Sequence, residues 1–153
     1  MNAAPTSSAP TPAELRDRFR RLHDGGCFVI PNPFDVGSAR ILEQLGFPAL
    51  ATTSSGFAAT LGRHDQHVTR DELVGHVAAI CAAVSIPVNV DAERCYADDL
   101  DGIGATIELL AGAGAAGISI EDYDPVAGAV DSIDRATERV AAAVEACRPH
   151  GSC

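Results

Sequence analysis

The chain has 153 residues, 46 % of them apolar, no Trp, five Cys and a net charge of −10. That length fits one domain able to bury a core. The acidic balance excludes nucleic acid and anionic membrane surfaces as partners, because both repel a negative surface.

Residues 1–10 are Ala, Pro, Ser and Thr apart from Met1 and Asn2, and read as a disordered tail; 11–153 read as the folded domain. The start lacks a basic stretch followed by an apolar core, so no secretory signal is expected. No apolar run approaches the roughly 20 residues that span a bilayer. The odd Cys count without a CxxC pair favours reduced thiols over a disulfide framework. A soluble, cytoplasmic protein is expected.

Thr11, Pro12 and Glu14 predict a capped helix that ends at Gly25 and Gly26. Cys27–Ile30 reads as a strand, and DVGSARILEQLG (35–46) as a helix. A second strand is expected at Ala49–Thr52, followed by a long loop over 53–68. Thr69 and Glu72 form a second capping box before a helix with apolar residues at helical spacing. Then come a strand ending at Asp91, a helix within 98–114, a strand at Gly117–Glu121, a Pro- and Gly-containing loop, and a helix over 131–147. Short strands, apolar on both faces and alternating with helices, predict a parallel sheet covered by helices. The fold expected is α/β with four successive βα units behind an N-terminal helix.

Ligands of such folds bind beyond the carboxyl ends of the strands. Asp91 and Glu93 stand there on the third strand and Glu121 on the fourth. Carboxylates converging at one end repel one another unless a cation sits between them, and Mg²⁺, which takes oxygen ligands, is the natural guest. No His or Cys cluster has the spacing of a zinc site. Ser54, Ser55 and Gly56 offer hydroxyls and backbone N–H groups to a carboxylate or phosphate. His64 and His67 flank Asp65 and could line a site, whereas His76 and Cys95 read as structural. GAGAAG (112–117) matches a dinucleotide fingerprint, but it leaves a helix and enters a strand, the reverse of what nucleotide binding needs.

The stretches from Phe19 to Gly62, HDQHVTRDELVGHVAAI, PVNVDAERCYADD and GAAGISIED together resemble the isocitrate lyase / phosphoenolpyruvate mutase family. The resemblance implies a (β/α)8 TIM-type barrel, of which this chain would be the N-terminal (βα)4 half, since a full barrel takes about 250 residues. It implies Mg²⁺-dependent cleavage of a carbon–carbon bond in a small 2-hydroxy or 2-oxo carboxylic acid, as in methylisocitrate lyases. Ser54, Ser55 and Gly56 then match the substrate-carboxylate loop, and Asp65 and Glu93 match acids at the reacting centre. Asp91, Glu93 and Glu121 match the metal-site acids. Two departures stand out: Cys95 replaces the family's usual Gly, and Tyr123–Val130 lacks the Lys and Cys of the lyase loop. The competing expectation is a non-catalytic half-barrel that binds a partner or itself. Either way, open sheet edges predict a homo-oligomer.

Overall fold

A computed structural model describes residues 9–151. The expected tail therefore lies outside the described residues except for Ala9 and Pro10, as does Cys153. The order is α1 (Pro12–Leu22), α2 (Val36–Gln44), β1 (Leu50–Ala51), α3 (Ser54–Thr60), α4 (Arg70–Ala83), β2 (Val88–Asp91), α5 (Leu100–Gly112), β3 (Gly117–Ser119), β4 (Tyr123–Asp124), β5 (Ala129–Val130) and α6 (Ile133–Cys147). The described part is thus mixed α/β, with a parallel sheet in the order β1-β2-β3 and a separate antiparallel hairpin, β4-β5.

Local chemistry sets the helix starts. In α1 and α4, Thr11 and Thr69 cap the third backbone N–H while Glu14 and Glu72 reach back, as expected. Asp35 forms the same reciprocal box with Ser38 in α2. On the sheet face toward the helices, Val88 packs with Ala39, Leu50 and Ile80. Val90 packs with Val77, Ile103 and Leu110. Helix α1 lies at the amino ends of the strands, where Leu15 and Phe19 meet Ala49 and Ala116. Buried Arg16 fastens it there through the carbonyl oxygens of Ala115 (3.1 Å) and Ala111 (2.6 Å). That closure leaves the carboxyl ends of the strands as the open face. Among the described residues no helix is long and apolar enough to cross a membrane.

Three expectations change. Cys27–Ile30 makes no ladder, because Pro31 and Pro33 bring no N–H donors to the strand's outer end. The segment still runs beside β1, with Ala51 N donating to Pro31 O at 3.0 Å. The loop expected from 53 begins instead as helix α3, capped by Thr53. The loop after β3 folds into the β4-β5 hairpin, whose turn is shaped by Asp124 accepting from the N–H groups of Val126 and Ala127. The GAGAAG run is the expected αβ turn, with Gly114 at φ +105° between α5 and β3.

A Cβ at Gly117 would stand 2.3 Å from Phe19 Cε1 and 2.7 Å from Asn89 Oδ1. Gly117→Ala is therefore expected to push α1 off the sheet, at a cost of about 1–3 kcal/mol. Urea unfolding measures it; an unchanged midpoint would mean that α1 does not close the strand bottoms.

Candidate active site

The carboxyl end of β2 organises the site. Asp91 Oδ2 accepts the Ser54 N–H at 2.9 Å, and Asp91 Oδ1 accepts the Glu93 N–H at 3.2 Å. The backbone N–H of Asp91 donates in turn to Thr52 Oγ1 at 3.0 Å. One carboxylate thus ties the start of α3 to the turn after β2. Ser54, Ser55 and Gly56 occupy the first turn of α3, not an irregular loop. The Gly56 N–H is used by Thr53 Oγ1 at 3.2 Å. The Ser55 N–H remains, in a turn that supplies no intrahelical acceptor.

After Asp91 the chain makes a tight left-handed turn, with φ +47° at Glu93, +58° at Cys95 and +52° at Tyr96. Left-handed backbone costs an ordinary residue about 1–2 kcal/mol, and such strain concentrates at functional sites. The turn buries Glu93, which is 4 % exposed, and leaves its Oε1 without a hydrogen-bond partner. Burial pushes the Glu93 carboxyl up to about 7, and repulsion from Asp65, Asp91 and Glu121 adds to the rise. The neighbouring Tyr96 hydroxyl offsets part of it. Tyr96 Oη nevertheless makes no hydrogen bond of full geometry, and burial beside Glu93 holds its proton firmly. The Glu121 carboxyl is also raised, first by burial and then by Asp91 and Asp65, while Gln66 opposes the rise. Asp65, Asp91, Glu93 and Glu121 therefore lie within each other's fields. Among the described residues no three His, Cys, Asp or Glu side chains are gathered as a ready metal cage.

His67 Nδ1 lies 2.8 Å from Asp65 O and shapes the exposed loop. His76 stacks on Phe57 with ring centroids 3.8 Å apart, pinning α3 to α4. Cys95 is 1 % exposed, and burial pushes its thiol up to about 11, so it packs rather than reacts. Cys95→Gly removes a small buried side chain but relieves a left-handed φ. The two effects are of similar size, so stability is expected to change by less than about 1 kcal/mol; a loss of several kcal/mol in urea unfolding would refute this balance.

Sequence reasoning missed the arginines that hold the turn. Arg94 and Arg139 are both buried and share Asp131 between them. The four-residue spacing of Arg135 and Arg139 along α6 was a signal, since it places both on one face.

Residues 19–152 match the family model for phosphoenolpyruvate phosphomutase. An oxaloacetate decarboxylase of Bradyrhizobium diazoefficiens is 36 % identical over 110 residues, 70 % of this chain and 38 % of that protein. Among solved structures, 2,3-dimethylmalate lyase, a PEP mutase/isocitrate lyase superfamily member, superposes with TM-score 0.78 at 29 % identity, covering 94 % of this chain and 50 % of that one. Oxaloacetate acetylhydrolase superposes with TM-score 0.81 at 26 % identity, covering 90 % of this chain and 50 % of that one. The chain thus spans about two fifths to one half of the length of the relatives it matches. With residues 19–152 matched by the family model, the chain belongs to the phosphoenolpyruvate phosphomutase family.

Proposed function

We propose that the acid cluster is the cation side of a lyase-type active site acting on a small 2-hydroxy or 2-oxo carboxylic acid in the cytoplasm. In this reading the described βα units are half of a (β/α)8 barrel. The observation that carries it is Glu93, buried with an orphaned oxygen among three further carboxylates. Such a group is costly unless a cation or proton neutralises it.

The residues fit Mg²⁺. The donors are all carboxylate oxygens, and Mg²⁺ commonly binds through one or two carboxylates while keeping several waters. Asp91, Glu93 and Glu121 would hold it. When bound, it would supply positive charge toward an enolate oxygen. Asp91 keeps the turn and α3 in register through its two accepted N–H groups. Ser54, Ser55 and Gly56 present the Ser55 N–H and the hydroxyls to a substrate carboxylate. Glu93 and Asp65 stand where a proton could be held or moved, Glu93 because its carboxyl titrates near neutrality.

Oxalate, a planar dicarboxylate that resembles an enolate of a 2-oxo acid, tests the reading. Calorimetry is expected to show oxalate binding only when Mg²⁺ is present. Equal binding with chelator, or none in either condition, would overturn it.

The second reading, a half-barrel without catalysis that associates with itself, is favoured by the apolar flanks. Val140 (49 % exposed) and Val144 (54 %) stand beside Ile118 and Ile120 at the β3 edge. Val29 (67 %) and Ile41 (60 %) lie at the other end. Exposed apolar patches and open edges promote association. Size-exclusion chromatography with light scattering is expected to give a dimer or larger species, and Val144→Glu to shift it toward monomer. A monomeric wild type would contradict the association.

A further inference from the structure

We infer that Arg139 is a positioning residue: from α6 it fastens the left-handed turn that carries Glu93, and so sets where that carboxylate stands among Asp65, Asp91 and Glu121. The inference rests on the reading of that cluster as a cation site. Arg139 itself is 2 % exposed and makes no hydrogen bond to any of the four acids.

What Arg139 does hold is backbone. Its Nη2 donates to Arg94 O at 2.5 Å and to Ala97 O at 3.0 Å, and its Nη1 to Asp98 O at 3.5 Å. Arg135, one turn earlier in α6, also donates to Asp98 O. Thr106 of α5, fully buried, donates to Cys95 O at 2.8 Å. The carbonyls of Arg94, Cys95, Ala97 and Asp98 are therefore all met by side chains from α5 and α6. The remaining key carbonyl, Glu93 O, accepts the Glu121 N–H at 2.7 Å, which links the turn to the end of the next strand.

The need for these donors follows from the backbone. Positive φ at Glu93, Cys95 and Tyr96 aims the turn's carbonyls where no helix or strand can satisfy them. Left buried and unpaired, each would cost free energy, and the turn would relax toward ordinary φ values. That relaxation would swing Glu93 out of its buried place. A planar guanidinium presents several donors in a fixed fork, so one side chain bridges successive carbonyls where an ammonium would reach fewer. A buried arginine is costly to desolvate, and an apolar side chain would fill the same space more cheaply. Asp131 offsets part of that cost: its Oδ2 lies 3.6 Å from Arg139 Nε, and its Oδ1 lies 2.8 Å from Arg94 Nη2.

The test is residue-resolved hydrogen exchange on the chelated chain, followed by calorimetric titration with Mn²⁺. In Arg139→Met, the Cys95 and Glu121 amides, which donate to Ala92 O and Glu93 O, are expected to exchange at least about tenfold faster. Amides in the middle of α4 and α5 should keep their protection. Mn²⁺ affinity is expected to fall at least about tenfold, with Arg139→Lys intermediate and Arg148→Met, an exposed arginine beyond α6, unchanged. Unaltered exchange at Cys95 and Glu121 in folded Arg139→Met would overturn the inference. If that variant loses protection everywhere, Arg139→Lys, which keeps the charge but not the planar fork, decides by the same selective speeding at Cys95 and Glu121, whose absence would overturn it. A wild type that takes up no Mn²⁺ would sink the cation-site reading, while the exchange arm still decides whether Arg139 holds the turn.

Discussion

In metal-free buffer the chain is expected to lose stability as pH rises from about 5 to 8, and Glu93→Gln is expected to remove most of that loss. Glu93 titrates at about 7 in the folded chain, against an ordinary value of 4.5. Between those values the folded state holds a proton that the unfolded state has released. The stability tied to that proton is fully present below the unfolded value and disappears as pH rises through about 7. Each pH unit of the window is worth about 1.4 kcal/mol at most, so the whole effect is on the order of 2–3 kcal/mol. Glu121, also raised, acts in the same direction. Glutamine keeps the shape without the charge. Saturating Mg²⁺ should flatten the wild-type slope, because a cation stabilises the charged form. Urea unfolding from pH 5 to 8 measures both; a wild-type slope equal to that of Glu93→Gln would remove Glu93 as the cause.

Asp91→Asn is expected to weaken Mn²⁺ binding by at least about tenfold to a hundredfold and to destabilise the chain by about 1–3 kcal/mol. Both Asp91 oxygens are engaged, one with the Ser54 N–H and one with the Glu93 N–H. An amide at this place must turn its NH₂ toward one of those donors and leaves that N–H without an acceptor. It also removes one of the charges that would attract the cation. Asp98→Asn is the control. Its side chain is 94 % exposed and pairs at 2.9 Å with buried Arg94, which keeps Asp131 at 2.8 Å as a second partner, so the solvent-facing carboxylate contributes about 1 kcal/mol or less. Asp98→Asn should leave metal affinity unchanged. Equal losses in the two variants would mean that general negative charge, not Asp91, governs the binding.

Much of this was legible in the sequence wherever the cause was local. The capping boxes at Thr11 and Thr69 involve residues three apart and formed as read. Asp91, Glu93 and Glu121 stood out as candidates because a parallel βα pattern dictates which ends of the strands carry chemistry. Helix α3 was missed because part of what starts it is distant: the carboxylate that takes the Ser54 N–H lies 37 residues further on. Cys27–Ile30 has strand composition, but composition does not supply the N–H groups that prolines withhold. The left-handed turn was invisible because Glu93, Cys95 and Tyr96 are not the glycines that usually mark such backbone. No motif marked Arg94 or Arg139: the turn's carbonyls account for the burial of Arg139, and Asp131 for that of Arg94.

The proposed function stands or falls on whether the acids at the strand ends take one cation. Calorimetric titration of Mn²⁺ into the chelator-treated chain at pH 7, repeated in two buffers of different ionisation enthalpy, tests it most directly. One saturable site per chain and a net release of protons are expected, because Glu93, whose carboxyl burial pushes up to about 7, must give up any proton it holds to become a ligand. Absence of saturable uptake, or uptake with no proton released, would contradict it.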